Sequence, residues 1–258
     1  MLWKLVAVSI RSQMQYPASF LMVGAAFFLG TFIDIVGIWV LFDRFQMVKG
    51  WTLFEVGLIY GIVHMGFSIA EVFARGFDHF DILVKQGNFD RLLLRPISPL
   101  LQVAVSEVQL IRIGRFFQGL IVLVWSASHL AFSLFSFHAL VILFSIAGTA
   151  ALFYGLFVIQ AAVTFWTVET LELMNITTFG GVQTGQYPMS IYPRHFRLIF
   201  TLLIPIACVA YYPVATLLRH EEIPFGLGLV APLAGFVFLY LACRLWYVGV
   251  RHYRSSGS

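Results

Sequence analysis

The sequence predicts an all-α integral membrane protein: six transmembrane helices, an interfacial helix before them, and one charged segment between the second and third. Three observations predict this. Of 258 residues, 60% are hydrophobic and only 11% charged, with a mean hydropathy of +0.89, which leaves too little polar surface for a water-soluble globule. The apolar residues fall into stretches near the roughly 20 residues a helix needs to cross the hydrocarbon core. The charges gather between those stretches, in greatest number in 76–106.

Residues 1–16 read as a short helix on the membrane surface. Lys4, Arg11 and Gln15 share one face, with Leu2, Leu5, Val6 and Ile10 as the apolar counterpart, until Pro17 interrupts the run. A flank that only sets topology is an equal reading. Six spans follow, at 18–42, 52–75, 107–131, 138–164, 196–218 and 225–247. With the N-terminus inside, the outer loops hold only Arg44, Lys49 and Arg219, and the other 13 of the 16 basic residues fall on the inner side. That asymmetry places both termini in the cytoplasm. The connections leave no room for a soluble domain, so 1–258 is one membrane domain. Cys208 and Cys243 lie in predicted spans and indicate no disulfide framework. A net charge of +4 in such a chain reflects loop topology and does not suggest a nucleic-acid partner.

The segment 76–102 is the most informative. Glu71 and Arg75 just before it are four apart, the spacing of an intrahelical ion pair. Asp78, Asp81, Lys85, Asp90, Arg91 and Arg95 follow, and Pro96 and Pro99 restrict the loop. Ser98 reads as an N-cap with Pro99 at the first helical position. The helix it starts carries Gln102, Ser106, Gln109 and Arg112 as a polar stripe feeding the third span.

Other polar and special residues have simpler readings. Glu169 and Glu172, past the fourth span, either pair with Arg112 or Arg115 at the inner helix ends or merely solvate a helix terminus. Pro205 and Pro213 in the fifth span and Pro232 in the sixth permit kinks that could act as a gate. His64, near mid-membrane, is expected to make a core hydrogen bond rather than to transport. Gly57 and Gly61 form a GxxxG that allows close helix approach.

At this point the residues carry a family resemblance. The run Gly87-x-Phe89-Asp90-Arg91-Leu92-Leu93-Leu94-Arg95-Pro96-Ile97-Ser98-Pro99-Leu100-Leu101-Gln102 resembles a signature of ABC-2-type exporter permeases. Tyr187-Pro188, Tyr192-Pro193, Ile204-Pro205 and Tyr212-Pro213 are similar to the same family's second half. The resemblance implies a six-span exporter permease of a bacterial inner membrane. The spans hold no obvious charged pocket at mid-membrane, which favours an amphiphilic, lipid-like or drug-like substrate over a small ion. The resemblance implies pairing with a second permease, related or identical, and two copies of an ABC ATPase subunit docked on the cytoplasmic face. It also implies that the interfacial helix and the coupling segment 76–102 make the docking contacts. Asp78, Asp81, Gly87, Asp90, Arg91, Arg95 and Pro96 are the candidate coupling residues, and ATP and Mg²⁺ belong to the partner.

The absences agree. A Walker A loop needs Lys followed by Ser or Thr, and Lys4, Lys49 and Lys85 are followed by Leu, Gly and Gln. The chain is therefore expected to be no enzyme and to carry no cofactor. Two alternatives stand beside this reading. Asp78 and Asp81 form a DxxD that could hold Mg²⁺ in a membrane lipid enzyme, which would turn over by itself. An ion-coupled secondary transporter would need an ion gradient and no ATPase.

Overall fold

The computed structural model describes residues 2–130, 137–167, 171–220 and 224–253. Among them the chain is helical, apart from one isolated bridge between Val48 and Trp51. The N-terminal helix α1 (Leu2–Gln13) ends short of Gln15, and Pro17 opens α2 (Pro17–Phe45) at its first turn instead of merely ending what precedes it. That use fits proline, whose missing N–H is an orphan in a first turn anyway.

α3 (Leu53–Asp78) is the centre of the bundle. It starts with a reciprocal capping box, in which the Thr52 backbone N–H donates to Glu55 Oε2 at 2.7 Å. It packs on α7 (Ile113–His129) along one face and on α8 (Phe137–Val163) along another, and α13 (Leu233–His252) covers the far side of α8. Close backbone approach makes these seams possible. A Cβ on Gly61 would sit 2.5 Å from Leu123 Cβ and 2.9 Å from the Gly119 carbonyl, so the GxxxG of α3 is a packing surface for α7. At the α8–α13 crossing, a Cβ on Gly235 would sit 2.0 Å from the Gly148 carbonyl.

Among the described residues, five helices are long and apolar enough to cross a membrane. The pair α10 (Arg194–Leu203) and α11 (Ala207–Leu217), bent by 85° at its break, makes a sixth when counted as one span. The expected fifth span, 196–218, is thus not one rod. Ile204, preceding Pro205, takes an extended conformation (φ −121°, ψ 90°), as a residue before proline tends to. Pro213 causes no second break, because π-type turns at Ala207–Tyr211 lead into the helical turn that holds it. Pro232 separates the short α12 (Phe225–Val230) from α13, so the sixth span starts eight residues later than expected, at 233 against 225.

The second inner connection, expected over 165–195, differs most. It holds α9 (Leu171–Gly185), which enters the core. Phe179 meets Phe67 of α3 edge-on at 5.6 Å, Val182 is buried, and Gly185 abuts Val63 and Ile206. Its Thr178, Gly181, Gln183 and Gly185 make it too polar and, at 15 residues, too short to read as a span, yet Gly181 and Gly185 let it lie tightly against Ile206, and Gly181 also against Phe153 of α8.

Candidate functional site: the segment between α3 and α7 and the helix ends that hold it

Four short elements join α3 to α7: α4 (Phe80–Lys85), α5 (Phe89–Leu93), α6 (Pro99–Ser106) and an extended connector, 107–109. Gly87 turns the chain after α4 at φ 67°, donating its N–H to the Val84 carbonyl at 3.1 Å. A side chain in that left-handed conformation would be strained. Ser98 and Pro99 begin α6 as the sequence predicts, but the Ser98 hydroxyl meets the Tyr247 hydroxyl of α13 at 3.2 Å and does not cap the helix. The polar stripe from Gln102 to Arg112 is not one helix. α6 stops at Ser106, and Glu107 is extended.

Gln102 consequently turns inward. Buried at 2% exposure, it donates to the Leu92 and Ile97 carbonyls at 2.9 and 2.8 Å, closing the loop between α5 and α6. α6 presses on α3 where a Cβ on Gly76 would fall 1.9 Å from the Val103 carbonyl, so only glycine fits.

Phe89 fixes the segment to the spans. Fully buried, its ring meets Phe80 at 5.1 Å, Phe165 at 5.5 Å, Trp246 of α13 at 6.4 Å and Tyr253 at 5.0 Å. Trp246 also stacks edge-on against Phe77 at the end of α3, at 5.6 Å. Burial, then the Asp90 carboxylate, push the Tyr253 phenol above its ordinary range, keeping it neutral at the end of α13. The aromatic cluster therefore packs α3, α4, α5, α13 and the chain just past α8 together. Sequence reasoning passed over Phe89. The available signal was a single aromatic ring inside a charged, proline-bounded segment.

The charged residues divide into struts and an exposed tip. Glu71 does not pair with Arg75. Its carboxylate lies between Arg112 (2.8 Å) and Arg115 (3.2 Å) of the α7 start, with side-chain exposures of 5%, 11% and 15%. The guanidinium of Arg112 also lies 4.2 Å over Phe27 and that of Arg115 4.9 Å over Phe67. Arg75 pairs with Asp78, whose other oxygen accepts from Gln160 of α8 at 2.9 Å. Asp81 is buried and pairs with Lys85 at 3.1 Å. Both carboxylates of the DxxD are thus engaged in ion pairs, and no group of three or more His, Cys, Asp or Glu among the described residues could hold a metal ion. Glu169 lies outside the described residues, as does the side chain of Glu172.

What remains accessible is the tip: Arg91, Leu93, Leu94, Arg95 and Pro96 are exposed, Leu94 at 86%. The tip is thus an apolar knob flanked by two guanidinium groups. On the opposite flank, α1 grips the connector. Val108 donates its N–H to the Ser9 hydroxyl at 3.0 Å and Leu110 to Gln13 Oε1 at 3.0 Å. From the α3 side, Gln109 N–H reaches the Val72 carbonyl at 3.1 Å, and Ser68 donates to the Arg112 carbonyl at 2.8 Å.

Deeper in the bundle, His64 is stacked on Tyr60 at 3.9 Å and hydrogen-bonded to Gln186 at 3.0 Å, the core role its sequence position suggests. It fastens the end of α9 to the middle of α3.

The fold is a multi-pass helical membrane domain with a buttressed surface segment at one end. The chain belongs to the ABC-2 family: the model of the ABC-2 family transporter proteins matches residues 28–257. It is accordingly a membrane permease of an ABC transporter, a class that works with ABC ATPase subunits. No curated protein and no solved structure matches the chain.

Proposed function

We propose that this permease exports an amphiphilic, lipid-like or drug-like substrate across a bacterial inner membrane, with both termini and the segment 76–102 in the cytoplasm. Two copies of an ATP-binding subunit, which hold the ATP and Mg²⁺, dock there, and a second permease, related or identical, completes the membrane part. The observation that carries this reading is the exposed tip Arg91–Pro96 on a segment fastened by Phe89 and Gln102 to the inner ends of α3, α8 and α13. A push on Leu94 and Arg95 is transmitted to those helices without being absorbed in a flexible loop. ATP-dependent contacts at the tip differ between two states of the partner, and that difference shifts the permease between its own two states. Asp78 and Asp81 serve as internal struts of the segment, and Gly87, Asp90 and Pro96 set its shape. The break at Pro205 is the candidate gate.

Affinity purification from the native membrane tests the reading. A stoichiometric companion bearing GxxxxGK[ST] is expected, and a chain that purifies alone would sink the proposal. Within the complex, Arg95→Glu and Leu94→Asp should leave the permease folded while lowering substrate-stimulated ATP hydrolysis at least tenfold. Unchanged coupling in both variants would remove the tip from the docking surface.

A further inference from the structure

Two cavities adjoin each other where α1, α2 and the start of α7 meet. The first, about 770 Å³, is floored by hydroxyls and amides, among them Ser9, Ser12, Gln13, Ser106 and Gln109, and is walled by Phe20, Val23 and Phe27 of α2. The second, about 710 Å³, is apolar and lined by Leu21, Gly24, Ala25, Phe28, Ile113 and Gly114. They share Phe20 and Ile111 as a common wall. Both lie on the first half of α2 and the start of α7, beside α1.

The charges at the polar cavity select among amphiphiles. Two charged residues line it, Glu107 and Arg112. Arg112 and Arg115 together share the single Glu71 carboxylate, which leaves this cluster with one surplus positive charge, while Glu107 is half-exposed and, among the described residues, accepts a neutral amide from Gln109 at 2.9 Å. A cationic and an anionic group on one wall match a headgroup carrying both signs. We infer that this pair of cavities is a binding site for one zwitterionic glycerophospholipid, its phosphate toward Arg112, its amine toward Glu107 and an acyl chain in the apolar cavity. Such a lipid would wedge α1 against α2 and α7, and the site stands whether or not the export reading is right.

The glycines lining the apolar cavity supply a clean test. A Cβ on Gly114 meets nothing within 4 Å, and one on Gly24 meets only Ile111 at an ordinary 3.8 Å, so larger side chains would grow into the cavity without displacing a neighbour. The complex is purified in mild detergent, washed, and examined by native mass spectrometry, then titrated with dioleoyl phosphatidylethanolamine and with dioleoyl phosphatidylglycerol. One lipid per permease should survive washing, with the ethanolamine lipid retained about tenfold better, the ratio expected from one additional charge-assisted hydrogen bond. Gly114→Leu should lower retention of both lipids severalfold. Glu107→Gln should erase the preference and leave retention of the glycerol lipid unchanged. Equal retention in wild type and Gly114→Leu would overturn the site, as would a preference for the anionic lipid. A Gly114→Cys cross-link to a second permease, with no lipid retained, would assign the groove to the contact between permeases and also overturn the inference.

Discussion

α2 and α3 are both long apolar helices, yet they occupy opposite environments. In the most apolar window of α3, 89% of residues are buried within the protein; in that of α2, 17% are, although α2 is the more apolar of the two. In water that order would be reversed. In a bilayer apolar side chains gain nothing by leaving the lipid, so burial follows close packing and the need to satisfy polar groups. α3 carries His64, Ser68, Glu71 and Asp78, each with a partner on another element or turn, and Gly61 in tight contact. α2 has glycines too, but Gly30 and Gly37 face open space. α8 supports the same rule: it is as apolar as α2 but 67% buried, and its Ser145, Thr149 and Gln160 lie on the buried side.

The sharpest way to break this contrast is at Glu71. Replacing it with Ala leaves two guanidinium groups buried without their shared carboxylate and should cost about 3–5 kcal/mol, read as loss of folded, monodisperse protein on heating in detergent. Phe89→Ala empties the aromatic cluster and should cost about 3 kcal/mol. Phe89→Trp or Tyr should recover much of the stability, and if Phe89→Ala melts like wild type, the segment is not fastened as described. Gly61→Leu forces a side chain into Leu123 and the Gly119 backbone and should cost about 2 kcal/mol or more. The matching change in α2, Gly37→Leu, should shift stability by less than about 0.5 kcal/mol. Equal losses from the two glycine variants would mean that α2 is packed in the assembled transporter, and its exposed face would then be the contact with the second permease.

The inner segment shows where sequence reasoning reaches and where it stops. Ser98-Pro99 announced a helix start and Pro205 a break, because proline fixes φ and lacks an N–H wherever it stands. The spacing of Glu71 and Arg75 suggested a pair, but spacing gives only the opportunity. Arg112 and Arg115, about forty residues on, come within reach once α7 lies against α3, and Arg75 turns to Asp78. α9 escaped notice for a related reason. A helix packed inside a membrane protein need not be apolar throughout, since neighbouring helices shelter a residue such as Thr178, which is buried.

Composition, the lengths of the apolar runs and the motif from Gly87 to Gln102 determined the class: a helical membrane permease with a charged segment between its second and third spans. Those properties depend on transfer from water to hydrocarbon and on local backbone chemistry, which each stretch of chain carries by itself. The tertiary structure alone decided that Phe89 is the anchor and Leu94 the tip, that Glu71 serves two arginines, and that α9 is core while α2 faces outward. These are contacts between residues far apart in the chain, and in a bilayer no gradient of hydropathy points the way to them.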